Sequence, residues 1–290
     1  MKPLWTFENW LLLAREKNLS LVEVVLEKEI EETGSKRETI INELEKRLKV
    51  MRESLEAGLK REKHTPGGMI KDESKILQKF FADNSSFAGT GAIKAAIYAI
   101  AVAQENAGMG RIVALPTGGS SGIVPGVFFS LDEEKKLGDE KLKEGLLIAA
   151  GVGMVVGEKL EMAGAAGGCQ AECGVAGGMA AAGAMYMLGG KEAEVFQAFA
   201  LTVKNMLGLV CDPVGGLVEV PCVKRNGFAA VQALLAVDLV RGGLKSVIPP
   251  DEVVDALAEI GRLLPSSLKE TAKGGLAQTK TGLDISEKNR

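Results

Sequence analysis

Two features of the 290-residue chain predict an all-α fold. Apolar residues recur with the 3.6-residue period over the N-terminal third, and no stretch of useful length alternates apolar and polar residues as a half-buried strand would. Only Ile112 to Leu115 and Val124 to Phe129 look β-like, and both are short and apolar.

Ser20 followed by Glu23 is a capping box, and Leu21, Val24, Val25 and Ile30 continue it as one apolar face. A second face runs through Ile40, Ile41, Leu44, Leu48, Met51 and Leu55, so the spacing predicts a hairpin turning at Gly34 and Ser35. Residues 1–63 hold 13 basic and 13 acidic side chains, the composition of a solvated helical surface. After Pro66-Gly67-Gly68, helices are predicted near 72–82, 91–105, 139–157, 172–188, 191–207, 226–241 and 251–263. Residues 64–290 then form a helical domain, continuous with the charged region at 1–63.

The middle of this domain reads as interior. From Gly145 to Val223 only ten residues are charged: Glu158, Lys159, Glu161, Glu172, Lys191, Glu192, Glu194, Lys204, Asp212 and Glu219. Cys173 to Gly190 has no charge over eighteen residues, at the threshold for a membrane span. Its Ala, Gly and Met content instead favours a helix that neighbours approach closely. Hydrophobic residues at 46% and charged residues at 25% exclude a disordered chain, and a net charge of -3 argues against nucleic acid as partner. The apolar run Leu11 to Ala14 is too short for a signal-peptide core. Four cysteines without such a signal fit a reducing, cytoplasmic setting.

Cys169, Cys173, Cys211 and Cys222 do not have the C-x2-C spacing of common metal motifs, and a buried cysteine is ordinarily a small hydrophobe. Their surroundings argue for more. Cys169 follows two glycines, Cys211 precedes Asp212-Pro213 and Cys222 follows Pro221, so each sits where a helix breaks. The stretch 111–126, with Thr117, Gly118, Gly119, Ser120, Ser121 and Gly122, is either an ordinary turn or a nest of N–H and hydroxyl donors for a carboxylate or phosphate. Phe87-Ala88-Gly89-Thr90-Gly91 opens a helix whose free N–H groups at Thr90 and Gly91 are a further candidate for the same anion site. The single histidine, His64, lies in a charged loop entry that suits solvent better than a catalytic triad. Lys204 lies in the charge-poor region near Cys211 and is a candidate polar catalytic residue.

The segments PGGMIKDE (66–73), FAGTG, ALPTGGSSGIVPG, GGCQAECGVAGGMAAAGA, LGLVCDPVGGLVEVPCVKRN and LKETAKGGLAQTKTG occur in the order found in one family. Over residues 60–282 the chain resembles the alpha subunit of iron-sulfur-dependent L-serine dehydratases. The resemblance implies a helical domain with Gly-rich loops around a buried 4Fe-4S cluster, held by Cys169, Cys211 and Cys222, with Cys173 outside the ligand set. It also implies an iron open to L-serine as a Lewis acid, loss of the α-proton and of water, and hydrolysis to pyruvate and ammonium. Thr90, Gly91 and Thr117 to Gly122 would hold substrate oxygens, with Lys204 nearby. The family often has Asn-Gly-Ala-Ala in place of this chain's Gly-Gly-Ser-Ser. A beta subunit carrying a Ser-His-Thr-x-Gly-Pro motif is the implied partner, since His64-Thr65-Pro66 does not match that motif.

Two other classes compete. Pyridoxal phosphate could deaminate serine with GGSSG as phosphate cup and Lys94 or Lys204 as Schiff base. A small-residue helical bundle could instead serve a membrane or an assembly without catalysis.

Overall fold

The computed structural model describes residues 5–289. Residues 1–4 and 290, at the outer ends of the regions expected at 1–63 and 64–290, lie outside the described residues. Among the described residues there are thirteen α-helices and no strand, so the all-α expectation is met. The helices are α1 (Phe7–Lys17), α2 (Leu21–Thr33), α3 (Arg37–Lys60), α4 (Glu73–Asp83), α5 (Thr90–Ala107), α6 (Ile123–Lys135), α7 (Gly138–Gly157), α8 (Gly164–Gly167), α9 (Val175–Met187), α10 (Glu192–Lys204), α11 (Cys222–Arg241), α12 (Pro250–Leu263) and α13 (Lys280–Lys288).

Capping starts the N-terminal helices where the sequence signals them. Thr6 Oγ1 accepts from Asn9 N–H at 3.0 Å, and Asp251 of α12 accepts from the Phe7 and Glu8 N–H groups at 2.9 and 3.0 Å. These bonds satisfy α1 donors that would otherwise be free. Ser20 accepts from Glu23 N–H at 3.2 Å, but the Glu23 carboxylate turns to Arg37 at 2.6 Å, which leaves half of the expected capping box. Ser20→Ala is therefore expected to cost about 1 kcal/mol, read as a lower urea midpoint with an unchanged slope. The chain turns at Gly34 as expected, and the two arms settle on different neighbours, α2 on α7 and α3 on α5 and α7. A cavity of about 250 Å³ opens between them, lined by Val25, Ile40, Leu44, Val113 and Leu147 among others.

The uncharged run forms the centre of the molecule. In α9 every residue except Tyr186 is buried, and α6, α7, α10 and α11 surround it. Such close approach needs small residues. A Cβ on Gly183 would lie 2.8 Å from the Gly145 carbonyl oxygen and 2.4 Å from the Phe128 ring. Neighbouring helices thus take the place that lipid would have in a membrane. No helix among the described residues is long and apolar enough to cross a bilayer.

The β-like reading of Val124 to Phe129 is corrected, because these residues lie inside α6. From Ile123 to Leu131 the helix is buried on all sides, so its sequence has no polar face to reveal the helical period. Pro125 falls in the first turn, where its missing N–H is not needed. At one end of the bundle four pieces of non-α chain meet: the loop before α6, the π-helical turn Gln170–Gly174, the segment 210–221 between α10 and α11, and the arm 264–279.

Candidate functional site

Each cysteine of the expected ligand set comes from a different break in helical structure. Cys169 follows Gly168 (φ 76°) and leads the π-helical turn, Cys211 lies in the irregular segment after α10, and Cys222 opens α11. All three are buried. π-Helical turns concentrate at functional sites, and here the turn places Glu172 and Cys173 beside Cys169. The ligand atoms of Cys169, Glu172 and Cys173 lie within 4.8 Å of one another.

Polar cross-links bind these pieces together. Gln170 N–H donates to Leu209 O at 2.9 Å, and its side-chain carbonyl accepts from Gly208 N–H at 2.9 Å, fixing the Cys169 turn to the approach to Cys211. Cys211 N–H donates to Leu268 O at 2.9 Å, and Glu270 N–H donates back to Cys211 O at 3.0 Å. Arg225, one turn into α11, donates to Val210 O and to Asp212 Oδ1, each at 2.9 Å. The other Asp212 oxygen accepts from Leu276 N–H at 2.8 Å. Asn226 ties the loop before α6 to the helix that begins with Cys222. Its Oδ1 accepts from Gly122 N–H at 3.0 Å, and its Nδ2 donates to Gly119 O at 2.8 Å and Cys222 O at 3.0 Å. Glu219 holds the turn at 66–69 through the N–H groups of Gly67 and Met69, at 2.7 and 3.1 Å.

The electrostatics follow from burial. Burial pushes the Cys222 thiol up to about 12 and raises Cys211 as well, with negative charge on Cys169 adding to both. The hydrogen bond from Cys173 and the Arg225 guanidinium hold Cys169 below the ordinary thiol range, while the same bond and burial keep Cys173 protonated. Of the two, Cys169 is therefore the more readily ionised and Cys173 its donor. Burial raises Glu172 against the opposing effect of the Thr117 hydroxyl, which donates to its Oε1. Thiols buried in this way ionise only beside positive charge, so the donor set fits a cationic metal cluster better than freely reacting cysteines. Ser121 Oγ, buried in the adjoining loop, has no hydrogen-bond partner among the described residues.

The expected oxygen-binding loop reaches this site, with Glu172 against it. A Cβ on Gly119 would meet Glu172 Oε1 at 2.6 Å, and Thr117 Oγ1 lies 3.1 Å from Ser120 Oγ. Two of the loop N–H groups are already engaged, Ser121 by Gly118 O at 3.2 Å and Gly122 by Asn226. The structure does not bring Thr90 and Gly91 to the loop. A Cβ on Gly91 would lie 2.9 Å from Glu134 Oε2 at the C-terminal end of α6, about 18 Å of helix from Gly122. Lys94 pairs with Glu133 at 2.7 Å at the same far end, away from the loop that a phosphate cup would use. Lys204 is half-buried at the end of α10, without an ion pair among the described residues, and His64 is exposed.

Glu172, Asp212 and Glu219 had no assigned task in the sequence, yet all three are buried around the thiols. The available signal was their charge within the charge-poor stretch 145–223, because a buried carboxylate must be paired or functional. Glu270 lies in the exposed arm and carried no such signal.

Comparison with known proteins gives a consistent result. The family profile described as "Serine dehydratase alpha chain" matches residues 16–277. The chain is 42% identical over 276 residues to a probable L-serine dehydratase alpha chain of Bacillus subtilis (strain 168), covering 95% of this chain and 92% of that one. It is 38% identical over 273 residues to the L-serine dehydratase alpha chain of Peptoniphilus asaccharolyticus, covering 94% of each. With an L-serine dehydratase of Streptomyces coelicolor it shares 36% identity over 278 residues, covering 95% of this chain and 61% of the longer relative.

Proposed function

The chain belongs to the serine dehydratase alpha chain family, and from that premise we propose that it is the alpha subunit of a 4Fe-4S-dependent L-serine dehydratase, eliminating water from L-serine to give pyruvate and ammonium. The observation that carries this reading is the set of buried thiols Cys169, Cys211 and Cys222, presented from three separate breaks that Gln170, Arg225 and Asn226 fix to their surroundings. We assign these three as the cluster ligands. When bound, the cluster supplies a Lewis-acidic iron that polarises substrate oxygens and eases the departure of hydroxide.

The rest is the work of this chain's own residues. Cys173 donates its proton toward Cys169 Sγ, and Arg225 sets positive charge beside the same sulfur, so the ligand set keeps its negative charge in a buried place. Asn226 fixes the Thr117–Gly122 loop relative to Cys222, which orients the loop's remaining donors toward substrate oxygens. Glu172 and Thr117 form the wall between that loop and the thiols.

The relatives named alpha chain are spanned almost whole, whereas the Streptomyces coelicolor enzyme has more than a third of its length beyond the match. That difference supports a beta subunit as the partner that completes the enzyme. All four cysteines are free thiols, in keeping with a cytoplasmic setting. The test is pyruvate formation from L-serine, measured anaerobically on this chain with and without a beta subunit. Activity is expected only with the partner and is expected to disappear after iron chelation in air. Activity that survives chelation and air would contradict the proposal.

A further inference from the structure

Glu172 and Glu270 bring carboxylate oxygens to the same side of Gly164, beside Cys211, and among the described residues no cation is bonded to either. Glu172 Oε2 lies 3.3 Å, Glu270 Oε2 3.2 Å and Cys211 Sγ 2.9 Å from the position that a Cβ on Gly164 would take. Glu172 is only 7% exposed, and the hydrogen bond from Thr117 goes to Oε1, so Oε2 has no hydrogen bond among the described residues. Arg225, whose charge reaches Glu172, is already committed to Val210 O and Asp212.

The fold holds the two like charges together. Glu270 is anchored by its own N–H to Cys211 O at 3.0 Å, its φ of 37° is in the left-handed region, and Asp212 fixes the same arm further on at Leu276. A pair of carboxylates kept close and unpaired makes a seat for a cation.

The geometry points to the α-ammonium of the substrate as that cation, with Glu172 and Glu270 as the specificity-determining pair that selects α-amino acids over 2-hydroxy acids of the same shape. This deepens the dehydratase reading and rests on it. An ammonium brings three donors and a positive charge to the two free oxygens. A hydroxyl in its place would leave both carboxylates uncompensated, the situation in which a polar site rejects an analogue most strongly. An open iron alone would accept the carboxylate and hydroxyl of either class of acid, so discrimination needs a feature of this kind.

The test uses the reconstituted enzyme with its partner subunit and the variants Glu270→Gln and Glu172→Gln. Glu270 is exposed, so its variant is expected to fold normally, and its thermal midpoint and iron content should equal those of the parent. For Glu270→Gln, KM for L-serine should rise roughly tenfold or more with a much smaller change in kcat, while inhibition by L-glycerate stays level or tightens. Calorimetry of L-alanine and L-lactate, which differ in the same group and carry no leaving group, should show the same loss of preference in both variants without any turnover. Unchanged preference for serine over glycerate in both variants would overturn the inference. Loss of iron from Glu270→Gln would overturn it as well, by making that carboxylate a metal ligand. No pyruvate from the unaltered complex would instead sink the dehydratase reading, and the binding preference would then be judged by calorimetry alone.

Discussion

Cys169→Ser, Cys211→Ser and Cys222→Ser are each expected to abolish iron binding and serine turnover, whereas Cys173→Ser keeps most of both. All four thiols are buried, so burial does not separate them. Position does. Cys169, Cys211 and Cys222 stand at a turn, in an irregular segment and at a helix start, while Cys173 lies within the π-helical turn that runs on into α9. Within the adjacent pair the hydrogen bond points the same way, since Cys173 donates to the Cys169 sulfur, whereas burial raises Cys211 and Cys222 as it does Cys173. A cluster ligand must be a thiolate, and a thiol that donates to a neighbouring ligand supports it from outside the coordination shell. Serine at 173 can still donate to Cys169, which is why that variant is expected to retain iron. Iron content of the four purified variants decides the matter, and equal loss in all four would remove the basis for the three-cysteine assignment.

The second large effect is expected at Gly122. A Cβ there would lie 2.1 Å from the Ala99 carbonyl oxygen, a backbone atom inside α5 that cannot move aside, and 3.0 Å from Asn226 Oδ1. Gly122→Ala must therefore lift the loop off α5 and strain the Asn226 bonds that tie it to Cys222. A loss of about 3 kcal/mol is expected. At roughly 2 °C per kcal/mol for a chain of this size, the thermal midpoint falls by about 6 °C. Turnover should fall by about a hundredfold in whatever variant remains folded, because the loop would be displaced by an ångström or more relative to the thiols. Gly118→Ala is the control. Its Cβ would meet nothing closer than the Asn106 side chain, at 3.3 Å. If both variants unfold at the same temperature, the loop is not held by its contact with α5.

What the sequence made legible followed from amphipathicity. Ser20, Gly34 and the apolar faces of α2 and α3 stood out because those helices meet water on one side. The helix α6 did not, because a helix buried all round carries no polar phase to read. In α9 the same lack of polarity imitated a membrane span, and only the preponderance of Gly and Ala pointed to close packing with other helices. At the site, the breaks around Cys169, Cys211 and Cys222 were visible as Gly and Pro. Their cross-links through Asn226, Arg225 and Gln170 were not, since these join residues far apart in the chain. The approach of Glu270 to Glu172 depends on a returning arm nearly a hundred residues further on, and no local pattern records it.

The most direct measurement of the central claim is the iron and acid-labile sulfide content of the chain after anaerobic reconstitution. About four of each per chain are expected, as for a thiolate-bound cubane cluster. A chain that takes up no iron under those conditions would contradict the assignment of Cys169, Cys211 and Cys222 as cluster ligands.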